Sequence, residues 1–582
     1  MKQQFFGTAE GFGGEILARI TVDEGTLTDV QLTGEKETQG LGDRALRLLT
    51  PAFAQARDWQ VDGISGATLS STGAKYAVRA AMEKAGLIAS TAGVREIDTD
   101  VVIVGCGISG IIAGLAAADR GVRVTMLERT QVFGGNGVFA HGGFFVETYL
   151  QKELGETFTL QDAYEQAMYF NNYLCDPLIM RRHLGEGAET IRWLNKVHDA
   201  GMTLPHVHKS SAEEGLPFTY HAWDAERTLW PKFRRELEEN PNVELIFGAK
   251  GQDLVLDETG AVSGVLASMA DGTQLRIRTK AVYLSTGGYL TNDAMLQDAV
   301  GETLVQYLVK DTSGVCDGSG LRMAWNVGAG HFNDDMVTNH GGRTGLGGKD
   351  GLPGIDYLVY IPILWVNRQG ERFMNEELVP NALFFSNLLI GQQGRAYVVF
   401  DQASLDQWKV KKIPLKMAFW DRFSDDYYCP PVTSFDEDFA QAVQAGRGFR
   451  GETLAELAQN AGMDPETLAQ TIAEYNAAVA CKRDDRFFKS AESLLFPVEQ
   501  GPFYAIECRV QAQGTVGGIK IDDTMRVVTP EGQPIPGLFA GGADAGGLYN
   551  GSYSIQSGTA VAWALTSGRL GGTAAADFAK GK

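Results

Sequence analysis

One glycine-rich segment has the residue types and spacing of a nucleotide-binding turn. The sequence VVIVGCGISGIIAGLAAADRGVRVTMLE predicts a strand, a turn, a helix and a second strand that ends in Glu128. Gly105 permits the tight turn, Gly107 lets the backbone approach a pyrophosphate, and Gly110 lets the helix pack closely on the strand. Glu128 is placed where a carboxylate can bind the ribose hydroxyls of an adenosine. The complete strand–helix–strand context disfavours a tight turn without a nucleotide.

Three further glycine-rich segments indicate that the nucleotide is FAD rather than NAD. FGGNGVFAHGG follows the second strand directly, and STGG and GLFAGGADAGG each follow an apolar run. Separate contacts of this kind suit an extended cofactor that threads through a domain. The predicted FAD-binding residues are Gly105, Gly107, Ser109, Gly110, Glu128, Gly134, Gly135, Asn136, Gly142, Gly143, Thr286, Gly287, Gly288, Gly542, Asp544 and Gly547.

The segment DGISGAT, Asp62 to Thr68, is a second candidate for chemistry. Its small residues leave room around the threonine for a bulky group and for an enzyme that attaches it. A simpler interpretation is a Gly/Ser turn before a helix, with Ser65 or Thr68 as the N-cap.

Together these motifs resemble the fumarate reductase and succinate dehydrogenase flavoprotein superfamily, in the soluble FMN-plus-FAD form to which urocanate reductases belong. The resemblance spans essentially all of residues 98–582 and rests on the segments GCGISG, GGN, STGG, CDGSGLRMA, VNRQGERFMNE, TVGGIKID and GLFAGGADAGG. It implies hydride transfer between FAD and an activated carbon–carbon bond, with protonation by a side chain. It also implies a non-covalent FAD, although His141 lies where linked relatives carry the flavin.

The N-terminal segment resembles FMN-binding domains. In that family the last threonine of the DGISGAT-like motif is esterified by the phosphate of FMN, which implies covalent attachment at Thr68. The segment ETQG, Glu37 to Gly40, is similar to a second motif of the same domain. Covalent FMN implies a flavin transferase as a maturation partner.

The residues that handle the substrate in the family are changed in this chain. Pro380 stands where relatives have the proton-donating arginine. A C-terminal histidine and arginine pair is replaced by GGLYNGSYS, and the segment TEAVRG is replaced by IDYLVYI. Because a dicarboxylate needs fixed cations, the loss of three of them argues against fumarate and succinate as substrates.

The replacement segments contain tyrosines, which can donate a proton or hydrogen-bond a carbonyl oxygen in an apolar pocket. In this they resemble 3-ketosteroid dehydrogenases. Tyr553 or Tyr549 is the predicted proton donor, because the glycines just before them are expected to contact FAD. Tyr357 and Tyr360 are held in reserve. The simpler interpretation is that each tyrosine packs in the core or on the surface.

Two further residues are candidates for the substrate site. His340 is similar to a substrate-contacting histidine of the family, and Arg343 is a candidate for a displaced cation. Arg343 is equally interpreted as a solvated residue of a glycine-rich loop. Arg372, in GERF, is expected to be structural.

The elements that position these residues divide the chain into domains. Residues 1–90 predict a small α+β FMN-binding domain, with a hairpin in GEILARITVDEGTLTDVQLTG and helices in GDRALRLLTPAFAQA and STGAKYAVRAAMEKAG. A linker is expected at STAGVREID. The sequence predicts an α/β, Rossmann-like FAD-binding domain in residues 98–335 and 501–582. It predicts an inserted α+β cap in residues 336–500.

Composition excludes several other classes of function. The 582 residues carry a formal net charge of −21, which argues against nucleic acid and anionic membranes as partners. The six cysteines form no CxxC or CxxCH pattern, so an iron–sulfur cluster and c-type haem are not expected. The sequence contains no apolar run of about 18 residues, so a transmembrane segment is not expected. The expected location is the cytoplasm, unless an export signal has been removed.

The leading hypothesis is an anaerobic-type reductase of a small molecule with a carbon–carbon double bond conjugated to a carbonyl. Electrons would pass from an external donor, either a protein or a small reductant, to FMN, FAD and substrate, since no NAD(P)H domain is evident. A ketosteroid-like dehydrogenase that runs the same chemistry in reverse is the second hypothesis. An electron-transfer flavoprotein without a substrate is the third, and the long aromatic cap argues against it.

Overall fold

The structure is a computed structural model of the chain. It describes residues 2–11, 14–37, 42–64, 67–88, 93–209, 217–223, 228–312, 316–335, 337–348, 351–416, 428–549 and 558–582.

The N-terminal unit is a three-stranded antiparallel sheet packed against two helices. Its elements are β1 (Gln3–Glu10), β2 (Glu15–Asp23), β3 (Thr26–Thr33), α1 (Gly42–Ala56) and α2 (Thr68–Lys84). The strand order β1–β2–β3 and the turn at Glu24 and Gly25, both with positive φ, confirm the predicted hairpin. Ile16, Ala18 and Ile20 alternate inward along β2 and form the core with both helices.

The second unit begins with a run of strands and helices that contains the glycine-rich turn. In chain order its elements are β4 (Val94–Asp98), β5 (Val101–Val104), α3 (Ile108–Asp119), β6 (Val124–Glu128), β7 (Gly142–Phe144), α4 (Tyr149–Glu153), α5 (Leu160–Phe170), α6 (Pro177–Lys196), β8 (Thr203–Lys209), β9 (Pro217–Ala222), α7 (Leu229–Glu239), β10 (Val243–Phe247), β11 (Ala249–Leu256), β12 (Val262–Met269), β13 (Gln274–Arg278) and β14 (Ala281–Leu284).

The middle of the chain forms the cap and the segments that lead into it. Its elements are α8 (Asp293–Val300), α9 (Glu302–Tyr307), β15 (Val309–Lys310), α10 (Ser319–Asn326), β16 (His331–Phe332), β17 (Val337–Arg343), α11 (Pro353–Asp356), β18 (Leu364–Val366), α12 (Ala382–Gly391), β19 (Arg395–Asp401), α13 (Gln402–Trp408), β20 (Ile413–Lys416), β21 (Tyr428–Cys429), α14 (Phe435–Gln444), β22 (Gly448–Gly451), α15 (Leu454–Ala461), α16 (Pro465–Cys481) and β23 (Phe503–Thr515).

The C-terminal segment returns to the nucleotide-binding sheet. It contains β24 (Gly518–Ile519), β25 (Arg526–Val528), β26 (Pro534–Ala540) and α17 (Thr559–Ala579), which packs along α3. The six-stranded sheet has the order β10–β6–β5–β14–β26–β25, and its neighbours run parallel except for β25 and β26. This is the predicted Rossmann-like sheet, completed by a strand from the far end of the sequence.

The predicted boundary between cap and FAD-binding domain at residue 500 differs from the structure. β23 pairs with β19 along its first half and with β17 along its second half, so it belongs to the sheet of the cap. β23 is buried along most of its length, as a central strand of either sheet would be, so only its pairing partners assign it to the cap. The chain re-enters that sheet only at β25.

The predicted linker also contains regular structure. Val94–Asp98 forms β4, which pairs in parallel with β13, so only the residues before it connect the two units. The units also contact each other through Arg79 of α2, whose guanidinium lies 3.5 Å from the carboxylate of Asp271, between β12 and β13. Within the described ranges, no helix is long and apolar enough to cross a membrane.

Candidate functional site

The glycine-rich turn after β5 forms a cradle with open space beside Gly107. Gly105 has φ of +99°, and a Cβ there would lie 2.4 Å from the Ser285 carbonyl oxygen. A Cβ at Gly110 would lie 1.8 Å from the Gly105 carbonyl oxygen. Around Gly107, by contrast, no described atom lies within 4 Å of such a Cβ. Gly107 therefore borders open space at the N-terminus of α3, which is where a pyrophosphate would bind.

Glu128 ends β6 beside this turn and is held in place by three donors. Its carboxylate accepts hydrogen bonds from the Cys106 N–H at 3.0 Å, the Thr130 N–H at 2.8 Å and the Thr130 hydroxyl at 2.7 Å. The Gly134 N–H donates to the Cys106 carbonyl at 2.9 Å, which ties the next glycine-rich segment to the same turn. The predicted ribose-binding carboxylate and the predicted phosphate-binding turn are thus adjacent.

Asp544 joins two of the other glycine-rich segments. Its fully buried carboxylate accepts hydrogen bonds from the Thr286 N–H and hydroxyl, and from the Gly288 N–H at 2.8 Å. Burial raises the pKa of Asp544, and these backbone N–H groups oppose that shift. The carboxylate therefore fixes the STGG loop against the C-terminal loop, although the two are far apart in sequence.

The remaining predicted FAD-binding residues lie around the same cradle, and several have structural contacts as well. Gly135 approaches Gly107, where its Cβ would lie 3.1 Å from the Gly107 Cα, and the Asn136 side chain accepts from the Thr312 hydroxyl at 2.8 Å. The Ser109 hydroxyl lies 2.6 Å from the Tyr283 hydroxyl. The others pack directly against protein atoms of neighbouring elements: Gly142, Gly143, Gly287, Gly542 and Gly547.

These observations fit FAD. The cradle combines open space at Gly107, the N-terminus of α3 and a fixed carboxylate at Glu128, which are the features an adenine dinucleotide requires. The glycine-rich segments at 105–110 and 542–547 are separated by about three quarters of the chain, which suits an extended cofactor.

The N-terminal unit fits a phosphate at the start of α2. The helix begins at Thr68, and its N-cap, Ala67, makes no side-chain hydrogen bond to the first turn. Neither Thr68 nor Ser65 is therefore the N-cap, and Ser65 lies outside the described residues. The positive end of the helix dipole favours an anion at this position. The Thr68 side chain is outside the described atoms.

Two hydroxyls of the first turn of α2 hold the surrounding loops. The Ser71 hydroxyl accepts from the Ile64 N–H at 3.0 Å, and the Ser70 hydroxyl donates to the buried Glu37 carboxylate at 2.5 Å. Ile64, in the DGISGAT segment, and Glu37 are therefore both held by the first turn of α2.

Tyr360 and Asp356 form a buried polar group in the cap. Tyr360 is 6% exposed and Asp356 is 5% exposed. The Asp356 carboxylate accepts from the Thr344 hydroxyl at 2.6 Å and from the Leu352 N–H at 2.8 Å. Burial first, and then the charge of Asp356, raise the pKa of Tyr360 far above its usual value, whereas the charge of Arg343 opposes the shift. Tyr360 is therefore a fully protonated phenol at neutral pH.

β23 connects this group with the FAD cradle. At one end of the strand the Thr515 hydroxyl accepts from the Tyr289 N–H at 2.9 Å, directly after STGG. Four positions earlier, the Gln511 side chain donates to Asp311 at 2.7 Å, and Asp311 is one of the charges that act on Tyr360. Asp356, Thr344 and Asp311 were not predicted as site residues, because only the tertiary contacts bring them to Tyr360.

The other predicted catalytic residues lie in different places. Tyr357 borders a surface cleft of about 280 Å³. Tyr549 is fully buried, and its carbonyl accepts from the Asn333 side chain. Tyr553 lies outside the described residues. His340 belongs to β17, with its side chain outside the described atoms, and Arg343 ends that strand.

The cleft beside Tyr357 carries no charged side chain among its lining residues within the described ranges. It is lined by Pro353, Gly354, Tyr357, Pro430, Pro431, Val432, Thr433 and Ser434. Rigid proline faces and a tyrosine ring suit a flat, uncharged group.

Comparison with known proteins agrees with this geometry. A family model described as an FAD binding domain matches residues 100–559, and one described as an FMN-binding domain matches residues 11–83. The chain is 31% identical to the vinyl phenol reductase of Lactiplantibacillus plantarum, over 82% of this chain and 96% of that protein. It is 25% identical to the urocanate reductase of Eggerthella lenta, over 94% and 88%.

The chain belongs to the fumarate reductase and succinate dehydrogenase flavoprotein superfamily. It is of the FMN-plus-FAD type, so it binds both flavins and is an oxidoreductase that acts on CH–CH groups. The sequence resemblance, the fold class and the two cofactors are thereby confirmed.

Solved structures show the same fold. A flavocytochrome c3 fumarate reductase in an open conformation matches 83% of this chain and 79% of its own, with a TM-score of 0.60 and 24% identity. The 3-ketosteroid Δ1-dehydrogenase of Sterolibacterium denitrificans matches 83% of this chain and all of its own, with a TM-score of 0.63 and 18% identity.

Proposed function

We propose that this protein reduces a carbon–carbon double bond conjugated to a carbonyl group. The observation that carries the proposal is the buried Tyr360, on which the charge of Asp356 acts and which supplies a protonated phenol in a chain that has Pro380 instead of the arginine of its relatives. The names of its relatives, vinyl phenol reductase and urocanate reductase, support reduction of a conjugated double bond.

Each residue of the site has a separate task in this proposal. Gly105, Gly107 and Glu128 hold FAD, which supplies a hydride when bound. Tyr360 holds the proton that the substrate carbon or carbonyl oxygen receives. Burial and the charge of Asp356 keep the Tyr360 phenol protonated, and Arg343 stabilises negative charge as the proton leaves. Tyr549 and Tyr553 remain alternative donors.

We propose further that Thr68 carries FMN through a phosphoester. A flavin transferase would make this bond, and an external donor would reduce the bound FMN. The position of Thr68 at the start of α2, where the helix dipole favours a phosphate, supports the assignment.

The alternative function is a dehydrogenase of a bulky ketone at the same site. The replacement of family cations by tyrosines favours it, because tyrosines can polarise a ketone oxygen without a carboxylate. An electron-transfer flavoprotein without a substrate is the third possibility, and it does not explain why Tyr360 is buried with polar residues around it.

Anaerobic mixing of the photoreduced holoenzyme with candidate substrates separates these functions. The panel contains an enone, an enoate, a vinyl phenol and fumarate, and FAD reoxidation is followed by absorbance. Rapid reoxidation by at least one conjugated alkene is expected. Bleaching of the oxidised enzyme by a saturated ketone, with no alkene reduced, would establish the dehydrogenase. No reaction in either direction would leave electron transfer as the function.

A further inference from the structure

Two groups of charged side chains in the cap differ in their charge balance. In the first, the Arg372 guanidinium donates to Glu376 at 2.7 Å and to Asp484 at 2.7 Å, and the Lys489 ammonium lies 3.3 Å from Glu376. Two cations thus face two carboxylates, and all four side chains are almost completely buried. The group is complete as it stands, and the structure therefore supports the structural role predicted for Arg372.

The second group consists of Arg395, Arg447, Arg509 and Glu507, and we call it the Glu507 cluster. Arg395 donates to the Glu507 carboxylate at 3.0 Å and Arg509 donates to it at 2.6 Å. Burial first, and then the charge of Arg509, lower the pKa of Arg447. Two guanidinium groups therefore bond one carboxylate, whose side chain is only 2% exposed, and the charge of a third, that of Arg447, acts on the same residues.

The strand register brings these cations together. Arg509 of β23 lies opposite Arg395 of β19 and also opposite Arg343 of β17. Like charges in directly opposite positions destabilise a sheet. The Tyr307 ring lies 4.2 Å from Arg395 and 5.2 Å from Arg509, and this cation–π contact offsets part of the repulsion without adding negative charge.

One buried guanidinium donor of the cluster faces no acceptor within the described part of the chain. The Nε of Arg395 is buried and has no hydrogen-bond partner there. Arg447 donates through Nη1 to the Thr344 carbonyl, and Arg509 donates through Nε to Glu507. The side chains of Arg395 and Arg509 remain 17% and 20% exposed, so a small solute can reach them.

We propose that the Glu507 cluster binds a small oxyanion, either a carboxylate or a phosphate, between Arg395, Arg447 and Arg509. A planar guanidinium matches both kinds of anion with paired N–H donors. Glu507 neutralises only part of the positive charge of the three arginines, and a bound anion would neutralise more of it. The site adjoins the Tyr360–Asp356 pair, because Thr344 accepts from Arg447 and donates to Asp356. It is independent of the flavin phosphates and of the reaction proposed above.

The holoenzyme tests this proposal, because its bound flavins fill their own phosphate sites. Titrations with sodium phosphate and with sodium acetate are compared with sodium chloride at matched ionic strength, by calorimetry and by thermal melting. Saturable binding of phosphate, acetate or both is expected for wild type, with the stronger ligand identifying the source. Arg509→Gln should weaken that binding about tenfold or more, the effect of one lost charge-assisted hydrogen bond.

Two further variants make the result decisive. Arg526→Gln removes an exposed arginine that pairs with Asp522 outside the cluster, and it should bind the anion as wild type does. Arg395→Lys keeps the charge but loses the paired donors, so it should weaken binding even if Arg509→Gln fails to fold. Wild-type binding no stronger than that of chloride, or unchanged binding in Arg395→Lys, would overturn the proposal.

Discussion

At the residue scale, Thr68 is the position that separates the two flavins chemically. Protein produced together with a flavin transferase should keep one flavin after acid denaturation, because a phosphoester survives unfolding. Thr68→Ala should lose that flavin and keep FAD, as measured by mass spectrometry of the denatured chain. Thr33→Ala, at an exposed threonine in the same unit, serves as the control. Acid-stable flavin in Thr68→Ala would refute the assignment.

Tyr360 is the residue on which the proposed reduction depends. Tyr360→Phe removes the phenolic proton and should slow alkene reduction by about 10² to 10⁴-fold, the usual contribution of general acid catalysis. FAD content and photoreduction should not change. Tyr173→Phe, at an exposed tyrosine, is the matched control. If Tyr360→Phe stays within about threefold of wild type, the same comparison with Tyr549→Phe and Tyr553→Phe identifies the donor.

Gly107 provides a test of the FAD cradle that does not disturb the fold. Its φ is −74°, and no described atom would contact an added Cβ, so the Gly107→Ala apoprotein should melt as wild type does. The methyl group should nevertheless obstruct the pyrophosphate and weaken FAD binding about tenfold or more, as measured by flavin titration. Gly110→Ala should instead destabilise the apoprotein, because its Cβ would overlap the Gly105 carbonyl. Unchanged FAD affinity in Gly107→Ala would place the cofactor elsewhere.

At the element scale, His198 links three helices on the side of α3 away from the glycine-rich turn. Its ring nitrogens lie 2.5 Å from Glu236 of α7 and 3.2 Å from Asp119 of α3, and its ring packs against Trp193 of α6 at 4.3 Å. Burial alone would lower the pKa of His198, but the hydrogen bonds to the two carboxylates outweigh it and raise the pKa to about 9. The imidazolium is therefore the folded form at neutral pH.

This raised pKa predicts a pH dependence of stability. The unfolded pKa is about 6.5, so the contribution of His198 is complete below that pH and is lost as the pH rises through about 9. His198→Gln should cost roughly 2 kcal/mol at pH 6, after screening of the half-exposed partners, and much less at pH 10. Urea unfolding at both values measures the difference.

At the scale of the whole molecule, the altered substrate residues act against dicarboxylates. Fumarate should be reduced at least about tenfold more slowly than the best monofunctional alkene with reduced viologen as donor, because a lost charged hydrogen bond costs about that factor. The reason is Pro380 and the missing cations of the C-terminal segment. Comparable rates for fumarate and the best enone or enoate would contradict this expectation.

The sequence by itself determined the features that depend on short-range constraints. The turn from Gly105 to Gly110 requires glycine at fixed spacing, because other backbone atoms come close to these residues. The motif can therefore be recognised from the sequence alone. The hairpin of the N-terminal unit followed from alternation and a turn with positive φ. In both cases the residues that cause the local structure lie close together in the sequence.

Only the tertiary structure decided the features that depend on distant pairing. β23 has the uniform burial of a nucleotide-binding strand, and its neighbours alone assign it to the cap. The grouping of Tyr360 with Asp356 and Thr344, and of three arginines around Glu507, arises from strand register and from loops that cross. The pKa of an ionisable side chain depends on its burial and on partners far along the chain. Its chemistry is therefore set by the fold rather than by its neighbours in sequence.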